Sequence, residues 1–106
     1  MSGPPWQWRW GSRRGRPPKK RVIWSKIGRT IFIPLDARGL PMSGDPIYVM
    51  PDEYEALRLV YLEKLTQEEA ANKMGISRGT LWRILDNGRR KIIQALVEKR
   101  PIIINV

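Results

Sequence analysis

Ser77, Arg78, Thr80, Trp82 and Arg83 lie within seven residues of one another and bring together two guanidiniums, two hydroxyls and an indole. On a helix, Leu81 and Ile84 would turn one way and this set the other. The outward set is polar and basic, with no acid before Asp86. A guanidinium can donate two parallel bonds to guanine O6 and N7, so Arg78 and Arg83 are candidates for base edges in a major groove. Thr80 suits a thymine methyl or a phosphate; Trp82 suits the sugar-phosphate wall, the protein core or a dimer contact. Ser77, Thr66, Gln67 and Lys73 are placed to hold phosphates, aided by the positive ends of helices. Arg89, Arg90 and Lys91 read either as a second backbone contact or as a solvated basic face.

Local punctuation predicts the elements that would position these side chains. Thr66 with Glu69 forms a capping box, and Leu65 with Ala70 can staple the start of a helix. Gly75 falls where a helix ends in a left-handed residue, a conformation glycine takes without steric penalty. Ser77 restarts the chain as an N-cap, with Ile76 and Leu81 as a second staple. So short a link forces a steep crossing with small residues at the contact, which Ala70 and Ala71 provide, while Met74, Ile76, Leu81 and Ile84 supply the apolar seam. Residues 66 to 88 therefore have the layout of a DNA-reading helix-turn-helix.

Composition narrows the function classes. The chain has 106 residues, with 20 Lys plus Arg against 10 Asp plus Glu and a net charge of +10. Seven of the positive charges, Arg9, Arg13, Arg14, Arg16, Lys19, Lys20 and Arg21, lie in residues 1 to 21 without an acid. Such polarity suits a polyanion, because each phosphate neutralised releases counterions. An anionic membrane surface competes, with Trp6, Trp8 and Trp10 at a headgroup boundary. No apolar run approaches the roughly 20 residues of a bilayer span, and no signal-peptide pattern is present. The expectation is a cytoplasmic, nucleoid-associated protein without a membrane partner. Cysteine and histidine are absent. That removes disulfides, thiolate and imidazole catalysis and thiolate zinc sites. The acids fit caps, N-terminal turns and solvated faces, and no phosphate-cradling glycine loop occurs. We expect no enzyme, catalytic residue, cofactor or metal.

Residues 1 to 21 lack aliphatic side chains and are expected to form a disordered arm. Within it, Arg13, Arg14, Gly15, Arg16, Pro17, Lys19, Lys20 and Arg21 read either as an AT-hook-like insertion into a narrow minor groove or as a phosphate-touching basic tail. Residues 22 to 50 are expected to be short strands and loop: Val22-Ile23-Trp24 and Ile31-Phe32-Ile33 are strand-like, and Pro34, Gly39, Pro41, Gly44 and Pro46 mark a loop running to Tyr48. Pro51 opens a helix with Asp52, Glu53 and Glu55 at its positive end. Tyr54, Leu57, Tyr61 and Leu65 would line its buried face, beside Val60. The acidic start should face away from any phosphate. The helix after Ser77 continues to about Glu98, a length of roughly 30 Å. Gly88 interrupts its stripe, which implies a close crossing or a kink. Residues 101 to 106, PIIINV, would add a short strand. Exposed edges leave pairing with a second copy open.

From Pro51 to Leu96 the chain resembles region 4 of bacterial sigma factors and LuxR-type helix-turn-helix domains. The closer likeness is to the UPF0251 (DUF134) family of small prokaryotic proteins. It is carried by RPPKKR at 16 to 21, DEYEALRL at 52 to 59, QEEAANKMGISRGTLWRIL at 67 to 85 and KIIQAL at 91 to 96. The resemblance implies DNA binding and transcription regulation, and the sigma-like part permits a contact with RNA polymerase. Two departures limit it. Cysteines common in the family are missing, so no metal or redox sensing carries over, and the Trp-rich extension at residues 6 to 10 is unlike the usual start.

The reading is a mostly α protein: a disordered basic arm (1 to 21), an extended segment (22 to 50), a three-helix, sigma region 4-like helix-turn-helix domain (51 to 100) and a terminal short strand (101 to 106). Its expected partner is double-stranded DNA, bound sequence-specifically by a transcriptional regulator. The alternatives are an architectural nucleoid protein of low specificity and an RNA- or ribosome-binding protein. Deleting residues 1 to 21 should weaken binding to all DNA sequences and flatten its dependence on salt. Fluorescence anisotropy across a salt series checks this; an unchanged slope removes the arm from the interface.

Overall fold

The computed structural model describes residues 6 to 8, 21 to 23 and 28 to 104. In chain order these form β1 (Trp6–Trp8), β2 (Arg21–Ile23), β3 (Thr30–Phe32), β4 (Ile47–Val49), α1 (Pro51–Leu57), a π-helical turn (Arg58–Leu62), α2 (Gln67–Met74), α3 (Arg78–Glu98) and β5 (Ile102–Ile104). The fold is thus mostly α among the described residues, with three helices and short β segments before and after them.

The helix boundaries follow from their caps. Pro51 is the first residue of α1, and the Met50 N–H donates to Glu53 Oε1 at 2.9 Å. At α2 the Thr66 N–H donates to Glu69 Oε1 at 2.8 Å, and the Glu69 N–H to Thr66 Oγ1 at 3.1 Å. Gly75 ends α2 at φ 69°, and the Ser77 hydroxyl accepts from the Thr80 N–H at 3.1 Å to start α3. These caps satisfy amides and carbonyls that helix ends otherwise leave orphaned. Ala70, Ala71 and Met74 of α2 and Leu81, Ile84 and Leu85 of α3 share one buried cluster with Ala56 and Leu59.

α1 meets α3 at Gly88. A Cβ there would stand 3.1 Å from Leu57 Cδ1 and 3.3 Å from Glu53 Cβ. Of the two explanations the sequence offered for this glycine, the close crossing is realised, and α3 continues through it.

The expected apolar face of the first helix is corrected. Tyr61 is exposed, Tyr54, Leu57, Val60 and Leu65 are half-buried, and the fully buried positions are Ala56 and Leu59. The cause is a change of helical register: the Glu63 N–H donates to the Arg58 carbonyl five residues back, which widens the turn and swings Tyr61 and Leu62 outward. Asp52 and Glu53 lie in the first turn of α1, at the positive helix end, as expected. Asp52, Glu53 and Glu55 are buried, and Arg58 grips Glu55 through two bonds of 3.1 and 3.0 Å.

The C-terminal strand is central in a sheet of order β3-β5-β4, antiparallel to β3 and parallel to β4. β4 falls in what the sequence marks as the end of a loop; its three residues follow four breakers and are too few for a visible alternation. Between β3 and β4, Leu35 pairs with Pro41 across a turn in which Asp36 Oδ1 accepts from the Arg38 and Leu40 amides. β1 pairs antiparallel with β2. These two strands hold Trp6–Trp8 and Arg21 of the basic arm; the rest of the arm lies outside the described residues.

Lys64 closes the π-helical turn at φ 59°, and the Leu65 N–H donates to the Leu59 carbonyl across it. A left-handed residue with a Cβ is strained by about 1 to 2 kcal/mol. Lys64→Gly should therefore raise unfolding stability by up to about 1 kcal/mol, measured as a higher urea midpoint at unchanged m-value.

Candidate nucleic-acid interface

The first turns of α3 carry the outward set. Arg78 and Arg83 are exposed, no ion pair engages either one among the described residues, and Trp82 is 49% exposed beside them. No acid lies in the first turn of α3, so its positive helix end is unneutralised. Ser77 and Thr80 are tied to each other, with the Ser77 hydroxyl donating to Thr80 Oγ1 at 2.9 Å while it caps the helix. Their first role is local; only spare lone pairs remain for a ligand.

Gly79 is the residue the sequence reading passed over. A Cβ there would meet nothing within 4 Å, and its φ is ordinary for a helix, so neither packing nor backbone conformation calls for glycine. By helical angle it lies at the middle of the outward face, between Trp82 and Arg83. A glycine inside an exposed helix costs about 1 kcal/mol relative to alanine. The bare backbone it leaves admits a close-fitting surface.

The phosphate candidates divide. Arg90 is exposed, with no ion pair among the described residues. Arg89 donates to the Tyr61 hydroxyl at 3.0 Å and to Asp86 at 3.3 Å, and the Tyr61 contact holds its pKa above the usual guanidinium value. It is oriented but still partly open. Lys91 is a correction: its Nζ donates to Glu53 Oε1 and to the Tyr48 carbonyl, both at 2.8 Å, so its charge answers a buried acid. Lys91 leaves the phosphate set. At the start of α2, Thr66 is occupied by its cap, and exposed Glu68 and Glu69 sit beside Thr66 and Gln67. Those acids repel phosphate and make this the weaker of the two helix starts. Lys73, at the last turn of α2, is exposed. Arg13, Arg14, Gly15, Arg16, Pro17, Lys19 and Lys20 lie outside the described residues, and Arg21 enters through its β2 backbone alone.

Among the described residues no group of acids is arranged to hold a metal ion, and no helix is long and apolar enough to cross a membrane. Arg83 and Arg90 are thus exposed cations on one helix whose neighbour Lys91 serves as a strut. Lys91→Met should cost about 1 to 3 kcal/mol by stranding Glu53, whereas Arg90→Met should stay within about 0.5 kcal/mol. Thermal and urea denaturation of the two variants separates the roles.

Comparison with known proteins fits this chain to a family model described as "Protein of unknown function DUF134" over residues 11–106. A UPF0251 protein of Pyrococcus furiosus is 48% identical over 97 residues, covering 91% of this chain and 86% of its own. One from Thermoanaerobacter is 43% identical over 88 residues, 82% of this chain and 75% of the relative. A third, from Desulforudis audaxviator, is 45% identical over 89 residues, 83% and 56%. No solved structure matches. With the model fitting nearly the whole chain and relatives of this identity spanning most of it, the chain belongs to the UPF0251 (DUF134) family.

Proposed function

We propose that this protein binds double-stranded DNA, with α2 and α3 acting as a helix-turn-helix and the N-terminal half of α3 lying in the major groove. The observation that carries the reading is the outward face of α3, where Arg78 and Arg83, without an ion pair among the described residues, and half-exposed Trp82 surround a glycine that no packing among those residues requires. The guanidiniums would meet guanine edges, and Trp82 would lie on a thymine methyl or the groove wall. Gly79 would let the helix backbone approach the bases. Arg90 and Arg89 then fall further along the same helix, within reach of a flanking phosphate run.

Supporting this, Glu55 and Glu53 of α1 are buried and paired inside the fold with Arg58 and Lys91, and Asp52 is buried beside them, so little negative surface opposes a polyanion there. The net charge of +10 supplies the long-range attraction. Sequence-specific regulation in the nucleoid, with RNA polymerase as a further contact, is the role we assign; a low-specificity architectural protein would share the surface but not the base-directed arginines. The ratio of operator to random-site affinity distinguishes the two. Competition by single-stranded RNA tests the RNA-binding alternative.

Genomic footprinting should yield a protected site, and Arg83→Ala should relax preference at one base pair at a cost of about 1 to 3 kcal/mol. Gly79→Ala should act in opposite directions on two measurements. It should stabilise the fold by up to about 1 kcal/mol and weaken DNA binding. Equal affinity of Gly79→Ala and wild-type protein for the footprinted site would take α3 out of the groove.

A further inference from the structure

β3 is an outer strand, and its second edge meets no strand among the described residues. All three of its residues are exposed, although they alternate between the two faces of the sheet. Ile31 aligns with Ile103 and Tyr48 on one face; Phe32 aligns with Ile102 and buried Ile47 on the other. Ile31, Phe32, Ile33, Leu35 and Leu40 are each 50% to 59% exposed. An edge strand that shows apolar side chains on both faces and unpaired backbone along its rim is a template for another strand.

Charge identifies the occupant. Residues 28 to 48 hold Arg29, Arg38, Asp36 and Asp45 and so carry no net charge, in a chain of +10. With its two arginines balanced by two aspartates, this surface gives a phosphate polymer no net attraction, and a second copy meets no net repulsion there. Two identical strands placed antiparallel about a two-fold axis exchange the same backbone groups, so the edge is complementary to itself. A second exposed apolar group, Ile93, Leu96 and Val97, lies on α3, where the backbone bonds are spent inside the helix and the flank carries both signs of charge, Arg89, Arg90 and Arg100 with Asp86 and Glu98.

We propose that two copies of this chain join through β3, edge to edge and antiparallel, making one sheet continuous across both. Even full cover of the five half-exposed side chains would bury less than the roughly 1,200 Å² of a stable complex, so the association is weak and concentration-dependent, with backbone pairing along β3 setting its geometry. The inference does not depend on what α3 binds.

Sedimentation of the full chain from low to high micromolar concentration tests it, with the mass expected to rise from 12.4 kDa towards twice that value. Ile31→Lys and Phe32→Lys, on opposite faces of β3, should each weaken association more than tenfold, and Val97→Glu should leave it unchanged. Far-UV circular dichroism establishes that each variant is folded. A monomer at every concentration overturns the proposal. So does loss of the dimer in Ile31→Lys and Tyr48→Lys but not Phe32→Lys, which marks packing of sheet faces, or its loss in Val97→Glu alone. Should a lysine variant unfold, amide exchange of the wild-type chain decides: slowing at Ile31 and Phe32 with concentration supports edge pairing, and no change refutes it.

Discussion

The close crossing of α1 and α3 at Gly88 is the constraint on which the helical layer rests. With no side chain at that point, Glu53 and Leu57 come within van der Waals reach of the α3 backbone. The proximity brings Glu53 to Lys91, and the ion pair it forms is linked to the sheet through the Tyr48 carbonyl. One small residue thereby lets α1, α3 and β4 share a polar clamp. A buried carboxylate without a cation would be costly, so the lysine is fixed by the acid it must neutralise.

This clamp also shapes the exposed surface. Because Lys91 is engaged with buried Glu53, the cations of α3 that have no ion pair among the described residues are Arg78 and Arg83 near its start and Arg90 at its middle. The capped turn between α2 and α3 then holds those first turns rigidly: Gly75 takes the left-handed conformation, and Ser77 with Thr80 closes the next helix. A stiff, cationic helix start is what an anionic partner would need to find preorganised.

The sheet answers a different problem. Strands of three residues cannot bury themselves, and β5 is stable in the middle because it has ladders on both sides and helices behind β4. That arrangement covers Ile47 and Val49 and leaves β3 with apolar side chains facing water. The molecule therefore separates a neutral apolar edge from a cationic helix start.

Caps, glycines and short-range apolar spacing were legible in the residues themselves, because each is a property of a few neighbours: the Thr66 and Glu69 box, the Gly75 turn, the Ser77 start and the reach of α3 to Glu98 all follow from local chemistry. The outward position of Arg78 and Arg83 was legible for the same reason. What the residues alone left open was decided by elements distant in sequence. Lys91 looked like another surface cation until α1 set Glu53 against it, 38 residues away. Tyr61 looked buried until the π-helical turn shifted its register, and β4 gained its identity only from β5, which lies beyond all three helices. Periodicity reports which way a side chain points on an ideal element; only the packed chain fixes what stands opposite it.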